Sequence, residues 1–179
     1  MKKIIFIIVT IIIAFFVYIN VNAEGDDIII PDAAIRVRVI ANSNSLKDQS
    51  MKMKVKEYIE KEISIKLLGV SDVDSARSII SNDINMLDSG INSIFNENGY
   101  DVDYVVHFGD NYFPEKDYKG VHYKAGAYES LVVVIGEGNG DNWWCVLFPP
   151  LCLLEADDSD VNDVEYRFFV QKMVNKIFH

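Results

Sequence analysis

The chain has 179 residues, of which 50% are apolar and 12% aromatic, so it can bury a sizeable core. Its formal net charge is −10, which argues against nucleic acid as a ligand because the phosphates would be repelled. The same acidity argues against electrostatic docking on anionic lipid.

The N-terminal segment, residues 1–23, predicts an export signal. Lys2 and Lys3 precede an apolar run from Ile4 to Ile19, and Val21-Asn22-Ala23 has the residue sizes that signal peptidase accepts. Cleavage after this site is the preferred interpretation, and an uncleaved membrane anchor is the alternative. Under either interpretation the remainder of the chain lies outside the cytoplasm.

The remainder is predicted to be a short lead followed by one domain. Residues 24–34 are acid-rich and predict a flexible lead. Residues 35–179 have the length of a single domain, and no linker rich in Pro, Gly or Ser divides them. The domain begins with Ile35–Ala41, whose alternating apolar and basic residues predict a half-buried strand with Arg36 and Arg38 on one face.

A helix is predicted after the polar run that ends this strand. Ser45 and Asp48 have the spacing of a capping box, with Asp where Glu is usual. Apolar residues and oppositely charged pairs at helical spacing extend this helix to about Leu68. Gly69 is predicted to end it.

A second helix and two strands are predicted next. The helix begins at a cap formed by Ser71 and ends at Gly99, with an apolar stripe between them. Alternation over residues 102–108 predicts a strand, and residues 109–126 are predicted to be a long connection. Residues 128–135 are strongly apolar and predict another strand.

The last strand is predicted to form a hairpin with the strand at 128–135. Residues 136–142 are the predicted turn, in which Gly136, Gly138 and Gly140 permit the tight backbone. Residues 143–148 return as the hairpin partner, and Ser159 opens a final helix. The order β-α-α-β-β-β-α predicts an α/β (α+β-like) single domain, with helices packed on a mixed β-sheet.

The two cysteines, Cys145 and Cys152, are seven positions apart. In an exported protein this proximity favours a disulfide, which would contribute about 2–3 kcal/mol of stability in the chain-entropy model. The alternative is a pair of buried thiols, since cysteine is common in protein cores.

The segment Trp143–Cys152 has two interpretations. It is either a core hairpin with an unusual corner, or an exposed aromatic anchor that docks on another protein. The candidate partner-binding residues are Trp143, Trp144, Phe148, Pro149 and Pro150, with Arg36, Arg38 and Asn42 as a second candidate surface.

No residue pattern predicts catalysis, a metal or a cofactor. The three histidines are scattered, which disfavours a zinc site, and the acidic run at 157–165 lacks the spacing of a calcium-binding EF-hand. His107 and His122 are available to activate a cysteine, but neither has a recognisable catalytic setting. We therefore assign no catalytic residue, metal ligand or cofactor from the residue patterns.

Two long segments resemble a known family. They are IRVRVIANSNSLKDQSMKMKVK (35–56) and VVVIGEGNGDNWWCVLFPPLC (132–152), and the final segment YRFFVQKMVNKIF fits as well. Together they resemble the stage II sporulation protein R family, and the resemblance runs from about Ile35 to Leu153. The family's export agrees with the predicted signal.

The resemblance implies an exported intercellular signal of endospore formation, which acts as a ligand and is not an enzyme. Such a protein is made in the forespore and acts in the space between the forespore and mother-cell membranes. Its implied partner is the extracytoplasmic region of a membrane-embedded aspartic protease, the stage II sporulation GA protein. That protease processes pro-sigma factor E in the mother cell. The chain itself would meet the membrane only through its N-terminal signal segment. An exported cell-wall hydrolase that uses unidentified carboxylates is the alternative.

Overall fold

The computed structural model describes residues 11–12, 28–29, 33–118, 121–152 and 163–178. The helix Leu46–Ile59 continues into a π-helical segment, Glu60–Ser64. The elements in chain order are β1 (Ile28–Ile29), β2 (Ile35–Ile40), α1 (Leu46–Ile59), α2 (Val73–Glu97), β3 (Tyr104–Phe113), β4 (Lys116–Tyr118), β5 (Val121–Tyr123), β6 (Gly126–Ile135), β7 (Asn142–Phe148) and α3 (Asp163–Phe178).

Four strands form a mixed sheet in the order β3-β6-β2-β7. Strands β2 and β6 are parallel, with Val37 beside Leu131, and both other pairings are antiparallel. The two central strands have runs rich in Val, Ile and Leu, as strands covered on both faces do. The predicted α/β single domain with a mixed sheet is therefore confirmed.

The predicted hairpin between the last two strands is wrong, because β2 lies between β6 and β7. Two strand spacings amount to about 10 Å, which a connection over residues 136–141 can cross. This connection passes over the end of β2, where Gly140 N–H donates to the Ala41 carbonyl at 2.9 Å. Glycine turns therefore occur here without joining neighbouring strands.

Two apolar clusters lie on opposite faces of this sheet. The larger cluster packs α1 and α2 against inward side chains of β2, β6 and β7, including Val37, Val133 and Leu147. The smaller cluster contains Val146 of β7 and Val170 of α3. Helices thus cover both faces of the sheet.

The helix starts follow local capping rules. Ser45 caps α1 as predicted, because its hydroxyl accepts the Asp48 N–H at 3.1 Å. The cap of α2 is Asp72 rather than the predicted Ser71, and its carboxylate accepts the Ser75 N–H at 2.8 Å. A carboxylate at this position also interacts favourably with the helix dipole.

The predicted long connection at 109–126 is wrong. Strand β3 continues to Phe113, and β4 and β5 follow it. With β1, which lies in the predicted lead, these two short strands form a second sheet in the order β1-β5-β4. Three- and two-residue strands carry too few residues for a period to be read from sequence.

Several predictions fall outside the described residues. They concern the signal or anchor at 1–23, of which only Ile11 and Ile12 are described, the start of the last helix at Ser159, and residues 157–162 of the acidic run. Among the described residues, no helix is both long enough and apolar enough to cross a membrane.

Candidate functional site

The guanidinium of Arg36 lies inside a group of aromatic rings. Arg36 extends from β2 and its side chain has no exposed surface. Its Cζ is 3.4 Å from the ring centroid of Tyr128, 5.1 Å from that of Phe113, and 5.8 and 5.9 Å from those of Trp144 and Tyr123. A cation over ring faces is attracted by their quadrupoles, most strongly where water is excluded. We call Arg36 and these four rings the Arg36 box.

The rings of the Arg36 box also contact one another. Trp144 meets Tyr123 and Phe113 edge to face, with centroids 5.2 and 6.2 Å apart, and Phe113 meets Tyr128 at 6.3 Å. Because Tyr123 belongs to β5 and the other residues to the larger sheet, the box joins the two sheets.

A buried carboxylate lies beyond the other end of β2. Asp48 accepts hydrogen bonds from Ser43 Oγ at 2.5 Å, Tyr100 OH at 2.7 Å and Asn42 Nδ2 at 3.1 Å. These donors, led by Ser43 and Tyr100, lower the pKa of Asp48 to about 2, against the opposing effect of burial. Burial, with the neighbouring carboxylate, raises the pKa of Tyr100. We call Asn42, Ser43, Ser45, Asp48 and Tyr100 the Asp48 network.

The connection between β6 and β7 is attached to this network through Asn42. Asn42 Oδ1 accepts the Glu137 N–H at 3.1 Å, and the Asn42 carbonyl accepts the Asn139 N–H at 3.1 Å. A Cβ on Gly136, whose φ is +56°, would lie 2.2 Å from Asn42 Oδ1. A Cβ on Gly140 would lie 2.4 Å from the Ser43 carbonyl oxygen. Glycine is required at both positions, and Gly138 has a φ of +64°.

The two tryptophans of β7 point to opposite sides of the sheet, as adjacent strand residues do. Trp143 packs on the larger cluster, with Lys56 Nζ 5.3 Å from its ring centroid, whereas Trp144 lies in the Arg36 box. Both rings are half-buried. Their role in partner binding stays a prediction.

The remaining predicted anchor residues lie in the interior. The structure buries Phe148, Pro149 and Pro150, and the peptide between the first two is cis. A partner that docks without rearranging this corner would therefore reach the tryptophans before these three residues. No other observation bears on their predicted role.

Arg38 occupies the middle of β2, between the Arg36 box and the Asp48 network. It is half-buried, and burial lowers its pKa. With the Asn142 amide oriented so that its oxygen faces the guanidinium, that oxygen accepts from Arg38 Nη2 at 2.6 Å and from Nε at 3.2 Å. Arg38 thus remains partly accessible to another molecule, unlike Arg36.

Both cysteines are buried in the larger apolar cluster. The sulfur atoms of Cys145 and Cys152 lie 3.7 and 3.1 Å from the carbonyl oxygen of Val146. The two side chains therefore occupy one region of the core. The predicted disulfide stays a prediction.

Comparison with known proteins identifies the family. The sequence model described as Stage II sporulation protein R matches residues 31–158. The Stage II sporulation protein R of Bacillus subtilis (strain 168) is 33% identical over 157 residues, which are 87% of this chain and 70% of that protein. This chain belongs to the stage II sporulation protein R family. No solved structure matches it significantly.

The part of the chain that matches the stage II sporulation protein R family contains every residue of the Arg36 box and the Asp48 network. It ends before α3, which begins at Asp163. The two buried charges on either side of Arg38 therefore belong to the family's matched region.

A cleft lies between the C-terminal half of α2 and the start of β3. It has a volume of about 370 Å³, and Asp88, Asp101 and Asp103 are among the residues that line it. Among the described residues no cluster of His, Cys, Asp or Glu has the arrangement of a metal site. The cleft is thus a concave acidic surface on this member of the stage II sporulation protein R family.

Sequence reasoning missed most of the interactions that hold these sites together. It recognised Asp48 only as a capping residue, because the partner Tyr100 lies 52 positions away. It did not associate Arg36 with Phe113, Tyr123 or Tyr128, which come from strands that alternation alone cannot place side by side. The available signal was the abundance of aromatic residues between 112 and 128.

Proposed function

We propose that this protein is an exported signal of endospore formation that acts by binding rather than by catalysis. The observation that carries the proposal is membership of the stage II sporulation protein R family over residues 31–158. The buried charges fit a binding protein, because Asp48 already accepts three side-chain hydrogen bonds and Arg36 is enclosed by rings. Neither group is presented to a substrate.

The proposed location is the space between the forespore and mother-cell membranes. Support comes from the N-terminal sequence, in which Lys2 and Lys3 precede the apolar run that ends at Ile19. The proposed partner in that space is the extracytoplasmic region of the membrane-embedded aspartic protease, the stage II sporulation GA protein.

The proposed mechanism is a shift in the protease's conformational equilibrium. A ligand changes such an equilibrium only through its different affinities for the two states. A surface that is already ordered loses little conformational entropy on binding. The Arg36 box fixes the ring of Trp144, and the hydrogen bonds between Asn42 and the β6–β7 connection order the turn that precedes Trp143.

The test is reconstitution in a bacterium that does not form spores. The protease, pro-sigma factor E and this protein, with its own N-terminal segment, are expressed together, and processing is followed by immunoblot. We expect processing that depends on this protein and disappears when residues 2–23 are deleted, since export is then lost. Processing that proceeds equally without this protein would contradict the proposal.

Two further variants test the predicted aromatic anchor. Trp143→Ala and Trp144→Ala are compared in the same assay after thermal unfolding has shown that each variant folds. Full processing with both variants would remove the tryptophans from the docking role and leave the signalling proposal intact.

We also propose that Cys145 and Cys152 form a disulfide in the exported protein. Support comes from their burial in one cluster and the approach of both sulfurs to the Val146 carbonyl. Intact mass under non-reducing, denaturing conditions with a thiol-alkylating reagent tests this. We expect no alkylation before reduction and two alkylated cysteines after it. Alkylation of both residues without reduction would show that they are thiols.

An exported cell-wall hydrolase remains a second candidate because of the acidic cleft. Asp101 and Asp103 face a space of about 370 Å³, and carboxylates across a cleft are the groups that glycoside hydrolysis uses. The test compares the turnover of peptidoglycan fragments by the exported protein with turnover by an Asp101→Asn/Asp103→Asn variant. Turnover that the variant abolishes would favour the hydrolase.

A further inference from the structure

The outward face of α1 and the residues that follow it is unusually apolar. Of the eight large apolar side chains that are exposed in the described residues, four lie between positions 46 and 68. They are Leu46, Met53, Ile65 and Leu68, with exposed fractions of 92, 39, 56 and 57%. A helix that packs on a sheet normally presents polar residues to solvent.

These four side chains are not part of the core. The core side of the same segment is supplied by other residues, namely Met51, Val55, Ile59, Ile63 and Leu67. All five are buried and contact the larger cluster beneath α1 and α2. Folding therefore does not explain apolar residues on the opposite side of the helix.

Three lysines form a line along this outward face. Lys47, Lys54 and Lys61 are seven positions apart, so successive residues lie almost two full turns along the helix. All three are exposed. The helical part of this face, from residue 46 to residue 64, is about 27 Å long. We call Leu46, Met53, Ile65, Leu68 and the three lysines the α1 face.

The lysines of the α1 face differ from neighbouring lysines in their partners. Lys56 pairs with Glu60 at 3.0 Å, and Lys66 pairs with Asp83 at 2.7 Å. Among the described residues, no carboxylate lies within ion-pair distance of the three lysines of the α1 face. No ion pair with another described residue therefore neutralises their positive charges.

Two of these lysines have uncharged neighbours. Lys47 Nζ is 5.3 Å from the ring centroid of Tyr100, and Lys54 Nζ donates to Asn98 Oδ1. Glu57 is the exposed acid on the same side of α1. The α1 face is thus predominantly cationic and apolar on a chain whose net charge is −10.

We propose that the α1 face is a docking surface for a partner protein whose complementary surface is acidic and has apolar pockets. The proposal rests on the proposed function and identifies that partner with the extracytoplasmic region of the protease. Charge complementarity favours an acidic partner, because its carboxylates would meet three cations that have no ion pair in the described part of the fold. A second copy of this chain, whose net charge is −10, is the alternative acidic occupant. Sedimentation of the parent protein without the protease separates the two, because self-association that the lysine variant abolishes would assign the α1 face to a contact between copies and overturn the proposal.

The docking surface is separate from the aromatic residues of β7. Trp143 lies on the core side of the helix layer, where Lys56 Nζ is near its ring, and Trp144 lies on the other face of the sheet. Variants of the α1 face therefore test a contact that the tryptophan variants do not.

The test measures binding to the full-length protease in vesicles of uncharged phosphatidylcholine. Two variants change the α1 face, Lys47→Glu/Lys54→Glu/Lys61→Glu and Leu46→Ser/Leu68→Ser. The matched controls change exposed residues elsewhere, Lys124→Glu/Lys172→Glu and Val105→Ser/Tyr112→Ser. Thermal unfolding accompanies each variant, and pro-sigma factor E processing is measured with the same proteins.

We expect both α1-face variants to bind the protease at least about tenfold more weakly, and both controls to stay within about twofold of the parent protein. Added salt should weaken parental binding and have less effect on the lysine variant. Parent-like binding by both α1-face variants would overturn the proposal while leaving the signalling function intact.

Two other outcomes would also overturn the proposal. Parent protein that binds protease-free phosphatidylglycerol vesicles, with no further gain from the protease, would assign the α1 face to a lipid surface and overturn the proposal. Parent protein that neither binds the protease nor promotes processing would overturn the proposed function and this inference with it.

Discussion

The two ends of strand β2 accommodate buried charge in opposite ways. At its start, the cationic Arg36 is enclosed by four aromatic rings that come from four other strands. Beyond its end, the anionic Asp48 accepts hydrogen bonds from hydroxyl and amide donors, two of which, Asn42 and Ser43, are within six positions of it, and its own N–H donates to Ser45. One site is assembled from distant strands, the other mostly from a single loop and the helix that follows it.

The difference shows which interactions a change at each end will break. An aromatic box depends on several side chains that pack around one cation. Removing the cation therefore creates a cavity and also removes the attraction between the cation and the rings. The hydrogen bonds to the Asp48 carboxylate depend on geometry. Their contribution to stability therefore changes with protonation of the carboxylate and with small backbone shifts. The following predictions separate these two behaviours.

The largest loss of stability is expected from a change in the Arg36 box. Arg36→Ala should lower the free energy of unfolding by about 3 kcal/mol or more, since it removes a fully buried side chain and its contacts with four rings. Urea unfolding at neutral pH measures the loss. A change below about 1 kcal/mol would show that the box does not support the junction of the two sheets.

Arg36→Met is the control that separates the contribution of the charge from that of the side-chain volume. Methionine fills much of the same volume and its sulfur contacts rings favourably, but it carries no charge. If the cation itself matters, Arg36→Met should remain clearly less stable than the parent protein. If only volume matters, it should recover most of the loss.

The second effect concerns the crossing of the β6–β7 connection over β2. Gly140→Ala would place a Cβ 2.4 Å from the Ser43 carbonyl oxygen and 2.9 Å from Ala41 Cβ, so the backbone must move. We expect a loss of about 2–3 kcal/mol, as in overpacked sites. Gly69→Ala is the comparison, because its Cβ would meet nothing within 4 Å although its φ is +83°. A smaller loss for Gly140→Ala than for Gly69→Ala would contradict the close approach.

The third effect is the pH dependence of the Asp48 network. Hydrogen bonds from Ser43 and Tyr100 lower the folded-state pKa of Asp48 to about 2, below its ordinary value of 3.8. A lowered carboxylate pKa stabilises the folded state above the ordinary value, and the stabilisation is lost as the pH falls through the folded-state value. Asp48 should therefore contribute about 2 kcal/mol near neutral pH.

Asp48→Asn isolates that contribution from the other carboxylates. The difference in unfolding free energy between parent and variant should be nearly constant above about pH 5 and should shrink between about pH 4 and pH 2. Urea unfolding across this range provides the measurement. A difference that stays constant down to pH 2 would mean that Asp48 titrates normally in the fold.

Local patterns were enough to predict much of the fold. The alternation at 35–41 and the apolar run before Gly136 located β2 and β6, and Ser45 was recognised as a cap because its partner is three positions away. The order of strands was not predictable in this way. Period-two alternation shows which residues share a face, but it does not say which strand lies alongside, and β7 pairs with β2 rather than with β6.

The candidate site was less predictable for the same reason. Arg36 and Arg38 have the same sequence signature, a basic residue at alternate positions of one strand, and alternation places both on one face. Their environments differ because Phe113, Tyr123 and Tyr128 gather only around the first. That arrangement depends on β5, a three-residue strand with no periodic signal.

The smallest loss of stability is expected for Arg38→Ala, which is also the closest control for Arg36→Ala. It occupies the same face of the same strand two residues later, but it is half-exposed and its described partner is the Asn142 amide. Water can replace that hydrogen bond, so Arg38→Ala should lower the free energy of unfolding by no more than about 1 kcal/mol. Urea unfolding of Arg38→Ala, Asn142→Ala and the double variant should give nearly the same small loss for all three if the pair interacts, because the second change then removes nothing further. A loss for Arg38→Ala as large as that for Arg36→Ala would show that the rings around Arg36 are not what distinguishes the two arginines.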